Sequence, residues 1–283
     1  TSQIEPGDFN GAFLQSGVAE LTMACIMNGI ALHGGMYAAC GTFFVFSDYM
    51  KPAIRISALM EQPVKYIFTH DAFRVGEDGP THEPVEQEAQ IRLLEQMNNL
   101  SGRPAALVLR PADAAETVAC YRMAMENTES PSVMILSRQD IKDIPGDDRR
   151  KQAFGAVRGG YEVMTAENPD VVLVADGSEV SLLCDVAESL KQDGIHTRVV
   201  SMPSIGVFTR QDKAYRDSIL PEGVPTFALT AGLPATFYPI SRDNWRIFGL
   251  KRFGASAPYK VLDEKFGYTT ENIASEVKQM IKK

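Results

Sequence analysis

The stretch VKYIFTHDAFRVGEDGPTHEPVEQEAQIRLL, residues 64–94, decides how the chain folds. Residues 64–69 form a short run of mainly β-branched and aromatic side chains, which reads as a strand. A helical pattern resumes over residues 86–94, after Pro84. Between them lies a loop, residues 70–84, with two of the chain's four histidines, four carboxylates and two glycines. Strand, loop and helix in this order build parallel sheets covered by helices. In such sheets the loops at the carboxyl ends of strands carry function.

The same alternation extends outward on both sides. Downstream, AALVLR (105–110), a helix over 113–127 and VMILS (133–137) continue it. Upstream, GVAELTMACIMNGIALHGG reads as a buried helix over 18–32 that stops at Gly34 and Gly35, and a second helical stretch covers 45–60. The segment RQDIKDIPGDDRRKQ is charged, holds Pro145-Gly146 and lacks apolar periodicity, so it reads as a linker. Beyond it the pattern restarts: strands at 171–175, 197–201 and 226–231, a helix over 179–192 and a terminal helix from Thr270. The expected class is α/β, with two consecutive domains of mostly parallel sheets covered by helices. The first domain spans 1–139, the linker 140–153 and the second domain 154–283. No internal repeat or low-complexity tract interrupts them.

Composition narrows the function. A chain of 283 residues has ample core for two domains. Its formal charge of -8 argues against nucleic acid or an anionic membrane surface as partner, while local clusters leave phosphorylated small molecules open. Cys25, Cys40, Cys120 and Cys184 lie far apart with no CxxC pair, so they read as reduced, mostly buried thiols of a cytoplasmic protein. No apolar run of about 18 residues and no signal pattern is present. The start at Thr1, without methionine, hints at processing or truncation.

Three groups of residues carry candidate chemistry. In the loop, glycines 76 and 79 permit tight turns, and His70, Asp78 and His82 supply a proton donor, an acceptor and another titratable ring near neutral pH. A solvated connection is the plain alternative. Metal ligation is disfavoured because no HxH or HxxxH spacing occurs. Glu20 stands among Val18, Leu21, Met23 and Ala24: it is either a first-turn glutamate favoured by the helix dipole or, if buried, a carboxyl with raised proton affinity. Phe43, Phe46 and Tyr49, three residues apart, would share one helix face, as core packing or as a wall for a flat ring.

Taken in order, GVAELTMACIMNGIALHGG, GTFFVFSDYMKPAIRISALM, HDAFRVGEDGPTHEPVEQ, LRPADAAET and LSRQ closely resemble the pyrimidine-binding and C-terminal domains of transketolase. VADGSEV, RVVSMPS and FGASAP extend the resemblance through the second half. It implies transfer of a two-carbon ketol unit from a ketose phosphate to an aldose phosphate, with thiamine diphosphate and a divalent metal. Glu20 then matches the glutamate that hydrogen-bonds the cofactor's pyrimidine nitrogen, and Phe43, Phe46 and Tyr49 match the aromatic pocket around that ring. His70, Asp78, His82 and Arg138 match substrate-binding groups, with His70 and His82 beside the reaction and Arg138 on the phosphate. The family often has arginine where Ala19 stands, serine and isoleucine at Ala72 and Phe73, and glutamine at Glu83.

The same resemblance exposes a gap. Thiamine diphosphate enzymes hold metal and diphosphate through GDG followed about 25 to 30 residues later by asparagine. Asp78-Gly79 lacks the leading glycine and Asn98 and Asn99 come too early, while Asp176-Gly177 has no asparagine at that distance. The expectation is therefore roughly the C-terminal half of a transketolase, entered inside the pyrimidine domain after its first helix and strand. No metal ligands are expected here; magnesium or calcium would sit in an absent N-terminal domain. Expected partners are sugar phosphates, that missing half and a second copy in a homodimer, with no nucleic acid or membrane. Related readings are a ketoacid dehydrogenase beta chain, a deoxyxylulose-phosphate synthase half, or a non-catalytic module on the same fold. The EDGPTHEP and LSRQ segments favour transketolase over the first two.

Overall fold

The computed structural model describes residues 3–8 and 10–282. Its first sheet contains β1 (Ala39–Phe43), β2 (Lys65–Thr69), β3 (Leu107–Leu109) and β4 (Ser132–Ile135), all parallel, in the order β1-β2-β4-β3. Helices α1 (Glu20–His33), α2 (Ser47–Leu59), α3 (Gln87–Arg92) and α4 (Ala114–Glu126) precede or connect these strands. β2 and β4 are apolar on both faces for a reason: Tyr66, Phe68, Val133 and Ile135 enter one core, and Met134 with Ile67 points to another. Asp113 caps α4 by accepting from the Glu116 N–H at 2.8 Å.

Helix α5 (Arg149–Ala153) leads to a second sheet of β5 (Tyr161–Met164), β6 (Val171–Ala175), β7 (Thr197–Ser201), β8 (Thr226–Leu229) and β9 (Trp245–Phe248). Their order is β5-β7-β6-β8-β9, with only β5 antiparallel. Helices α6 (Glu179–Gln192), α7 (Ile205–Thr209), α8 (Lys213–Ile219), α9 (Tyr259–Phe266) and α10 (Thr270–Ile281) complete this half. Alternation along β6 sends Val171, Leu173 and Ala175 into a core shared with Phe73, Val85, Leu109 and Met134 of the first half. The two halves therefore share one apolar interior.

Several elements depart from the sequence expectation. β1, β5 and β9 were not foreseen. β1 reads ACGTF, without strong strand formers, and its position depends on Gly41, where a Cβ would overlap the Ile67 carbonyl of β2. Residues 149–153, expected within the linker, form α5, tied to the first half by Arg149 Nε on Asp113 at 2.6 Å.

The first helix begins at Glu20, two residues later than expected, and is not buried. Only Ala24, Met27 and Asn28 are covered, and Val18 is 98% exposed. Its composition misleads because it is apolar on every side, whereas the fold covers one side. Among the described helices none is long and apolar enough to cross a membrane. Cys40, Cys120 and Cys184 are buried, Cys25 is exposed, and all four are free thiols.

Candidate active site

The carboxyl ends of β1 and β2 lie side by side, Phe43 pairing with Thr69. Phe43 closes β1, Phe46 lies in the 3-10 turn Phe44–Phe46 and Tyr49 in the first turn of α2. The expectation of one helix face is thus corrected: strand end, turn and helix each supply one ring. They still form a row, with centroids 6.2 Å apart from Phe43 to Phe46 and 6.1 Å from Phe46 to Tyr49. The row continues into the loop, since the His70 ring lies flat on Phe43 at 3.5 Å and His82 meets Phe46 edge-on at 5.5 Å.

Glu20 faces this row across a cleft of about 600 Å³ that it lines with Thr42, Phe43, Phe46 and Tyr49. As the first residue of α1 it gains from the helix dipole. The fully buried carboxyl considered from the sequence is not what the fold provides. Glu20 is half-buried, and it has no hydrogen-bond or ion-pair partner among the described residues. A neighbouring hollow of about 700 Å³, between residues 11–17, α1 and β1, is also bordered by Glu20.

His70 follows β2 with φ of 64°, a left-handed conformation that a non-glycine residue adopts only under constraint. Its Nδ1 is 2.9 Å from Thr69 Oγ1. Burial lowers its affinity for a proton, and the Arg138 cation lowers it further against opposition from Asp78 and Asp71. The imidazole is accordingly held neutral further into the acid range than a free histidine. Asp78 and Arg138 are exposed at the rim of the same neighbourhood. The loop reverses at Gly76 and Gly79, whose φ values are +89° and +76°, and His82 N–H donates to the Gly79 carbonyl at 2.9 Å.

The sequence reading missed what lies beneath. Asp71, next to His70 and buried, accepts from Arg110 Nη2 at 2.7 Å and from Ser137 Oγ at 3.1 Å. Arg110 Nη1 also reaches Asp176 at 2.8 Å and Glu179 at 2.6 Å. Arg92 holds Glu88 at 2.9 Å, Glu95 at 3.1 Å and Asp176 at 2.7 Å, while Arg74 joins Glu179 at 2.5 Å and Asp263 at 2.7 Å. Burial, reinforced by Asp176, raises the proton affinity of the Glu88 carboxyl above the usual carboxylate range. Of this network, only the helical spacing of Glu88, Arg92 and Glu95 leaves a local signal that a sequence reading could have used. Among the described residues no three His, Cys, Asp or Glu side chains are placed to hold a metal ion.

The site therefore joins Glu20, Phe43, Phe46 and Tyr49 around one cleft, with His70 and His82 attached by ring contacts and Asp78 and Arg138 at the rim. A flat apolar wall beside an unpartnered carboxylate suits a flat nitrogen heterocycle, and two imidazoles beside an exposed guanidinium suit a hydroxylated, phosphorylated ligand.

Comparison with known proteins identifies the family and the fold. Residues 2–143 match the family model described as transketolase, pyrimidine binding domain, and residues 159–269 the transketolase-like TK C-terminal domain. The chain is 41% identical over 277 residues to a transketolase of Halalkalibacterium halodurans and 42% over 281 residues to one of Geobacillus stearothermophilus. These alignments cover 97% and 98% of this chain but 40% and 41% of the relatives, so the chain spans about two fifths of their length. A transketolase variant from Pichia stipitis superposes with a TM-score of 0.89 at 36% identity, over 99% of this chain and 40% of that one. A structure titled split gene transketolase, inactive beta4 tetramer, shares the fold with a TM-score of 0.76 at 24% identity, over 98% of this chain and 86% of that one.

Proposed function

The chain belongs to the transketolase family, and we propose that it supplies the pyrimidine-binding and sugar-binding side of a ketol-transfer site. The reaction would move a two-carbon unit from a ketose phosphate to an aldose phosphate, in the cytoplasm, where the four thiols stay reduced. The observation that carries this reading is Glu20 facing the Phe43, Phe46 and Tyr49 row at one cleft, with His70 stacked on the end of that row.

These residues fit the aminopyrimidine half of thiamine diphosphate. Three rings give it a flat wall, and Glu20, without a partner of its own, is free to bond a ring nitrogen. When bound, the cofactor supplies a nucleophilic carbon and a place to store negative charge during transfer. His70, kept neutral by burial and Arg138, can accept or donate a proton at a substrate hydroxyl. His82, seated against Phe46, would face the carbonyl, and exposed Asp78 would read a hydroxyl. Arg138 would bind the phosphate through its planar fork. Magnesium or calcium and the diphosphate would be held by a complementary half, a reading supported by the lack of the GDG-and-asparagine pattern in the sequence.

That half would come from the same polypeptide or a separate subunit. The neighbour whose title calls it a split-gene transketolase in an inactive beta4 tetramer supports the second arrangement. A homodimer is proposed through the first domain, where Val18, Leu21, Leu32, Met36 and Tyr37 leave apolar surface exposed beside Glu20.

The direct test assays ketol transfer from xylulose 5-phosphate by this chain alone and with a diphosphate-binding transketolase half. Activity is expected only for the pair, with magnesium, and Glu20→Gln should lower kcat by 100-fold or more, about 2.7 kcal/mol of barrier. Micromolar, magnesium-dependent thiamine diphosphate binding by the chain alone would contradict the division of labour. Sedimentation at micromolar concentration tests the dimer, and a concentration-independent monomer would refute it.

A further inference from the structure

Glu83, one residue beyond His82, is the only glutamate or aspartate of the loop at residues 70–84 that is buried with both carboxylate oxygens lacking a hydrogen-bond partner among the described residues. It is 3% exposed. The backbone amides of Ala255 and Gly76 lie near it without reaching full hydrogen-bond geometry, so burial outweighs them and disfavours its charged form. Its surroundings explain how it is held. Oε2 rests on the backbone of Gly254, where an added Cβ would overlap it, so a side chain at that position would displace the carboxyl.

Gly254 belongs to residues 253–258 of the second half, and this segment carries the loop along its length. Ser256 Oγ donates to the Glu77 carbonyl at 2.5 Å. A Cβ on Gly79 would lie 3.1 Å from the Ser256 Cβ, and one on Gly76 would lie 3.3 Å from the Ala257 carbonyl. On its other side the loop presents the His82 ring to Phe46. Pro84 biases Glu83 toward extended backbone, which stiffens the link between the two contacts.

We infer that Glu83 is a positioning residue: its carboxyl, seated on Gly254, is the group through which the C-terminal domain fixes His82 at the cleft. The inference rests on the transketolase reading only for the use made of His82; the coupling itself concerns this chain alone. Burial pushes the Glu83 carboxyl up to about 7, partly offset by the backbone amides of Ala255 and Gly76. His82 and the exposed Glu77 and Asp78 share its loop, residues 253–258 carry no titratable side chain, and the exposed Arg252 flanks them. None makes an ion pair with Glu83 among the described residues.

The sign follows from linkage. An acid whose proton affinity is higher seated than released holds the junction most tightly below its free value near 4.3, and the hold weakens as pH rises toward 7. Release should then grow by up to about tenfold per pH unit in that window and level off above it.

Hydrogen exchange on the full chain, without cofactor and corrected for intrinsic rates, reads this directly. Between pH 5 and 8 protection of residues 76–83 and 253–258 should fall together in the wild type and stay flat in Glu83→Gln. An unchanged pH dependence in Glu83→Gln would overturn the proposal. Gly254→Ala should expel the carboxyl, lower protection at every pH and remove the ring-current shift of His82 beside Phe46 in NMR spectra. Glu83→Ala deletes the same contact, so combining it with Gly254→Ala should lower protection and the shift no further than either change alone; simple additivity of the two changes, or an unmoved His82 in Gly254→Ala, would equally overturn it. Since no measurement involves the cofactor or sugar, a failure here leaves the ketol-transfer reading standing, and a failure of that assay leaves this coupling intact.

Discussion

Arg110 and Glu20 lie in one half of the molecule and meet opposite electrostatic surroundings. Arg110 is fully buried at the junction of the two halves, where Asp71, Asp176 and Glu179 all reach its guanidinium. Glu20 is half-buried at a cleft and no described residue answers its charge. The contrast separates two uses of polar groups. Where the chain closes upon itself at Arg74, Arg92 and Arg110, each guanidinium meets buried carboxylates, because an unpaired charge in a dry interior would be prohibitive. Where a charge and three aromatic rings stay uncovered together, the surface is complementary to something beyond these residues.

The largest test breaks the paired side. Arg110→Met leaves three buried carboxylates facing an apolar chain, and unfolding should cost about 3–5 kcal/mol less. In thermal melts that is a fall of roughly 10 °C for a chain of this size, and a fall under about 2 °C would mean the network is not holding the halves together.

Glu88 sharpens the same side. Its carboxyl, raised to about 8, stabilises the fold fully below its unfolded value near 4.3, and this contribution is lost as pH climbs toward 8. Urea midpoints of the wild type should therefore decline relative to Glu88→Gln from pH 5 to pH 8 and run parallel above it. Parallel curves throughout would show that Glu88 is ionised in the folded chain.

The open side should respond weakly. Phe43→Ala, which removes the ring under His70, should cost about 1 kcal/mol. NMR titration should place the His70 midpoint below the ordinary 6.5 in the wild type and move it upward in this variant, as water reaches the imidazole. With a lowered proton affinity, the stability His70 contributes is present above 6.5 and fades as pH falls through that value. A wild-type midpoint at or above 6.5 would remove burial as the controlling influence.

The sequence by itself determined the elements whose signal is local. β6, α6 and β7 occupy the residues their patterns predicted, because alternation and helix periodicity are complete within a few turns of chain. The loop at 70–84 and its histidines were legible for the same reason: composition, glycines and the preceding strand all lie within one short stretch. Family resemblance then attached roles to those residues. Tertiary structure decided the rest. It placed Phe43 on a strand where spacing suggested a helix, since β1 exists only because Gly41 lets the Ile67 carbonyl approach. It left α1 half uncovered, because an apolar helix does not say which of its sides the fold will cover. And it joined Arg92 to Asp176 and Arg74 to Glu179 across 84 and 105 residues, and seated Glu83 on Gly254. Such partners are chosen when two finished surfaces dock, and docking distance bears no relation to separation along the chain.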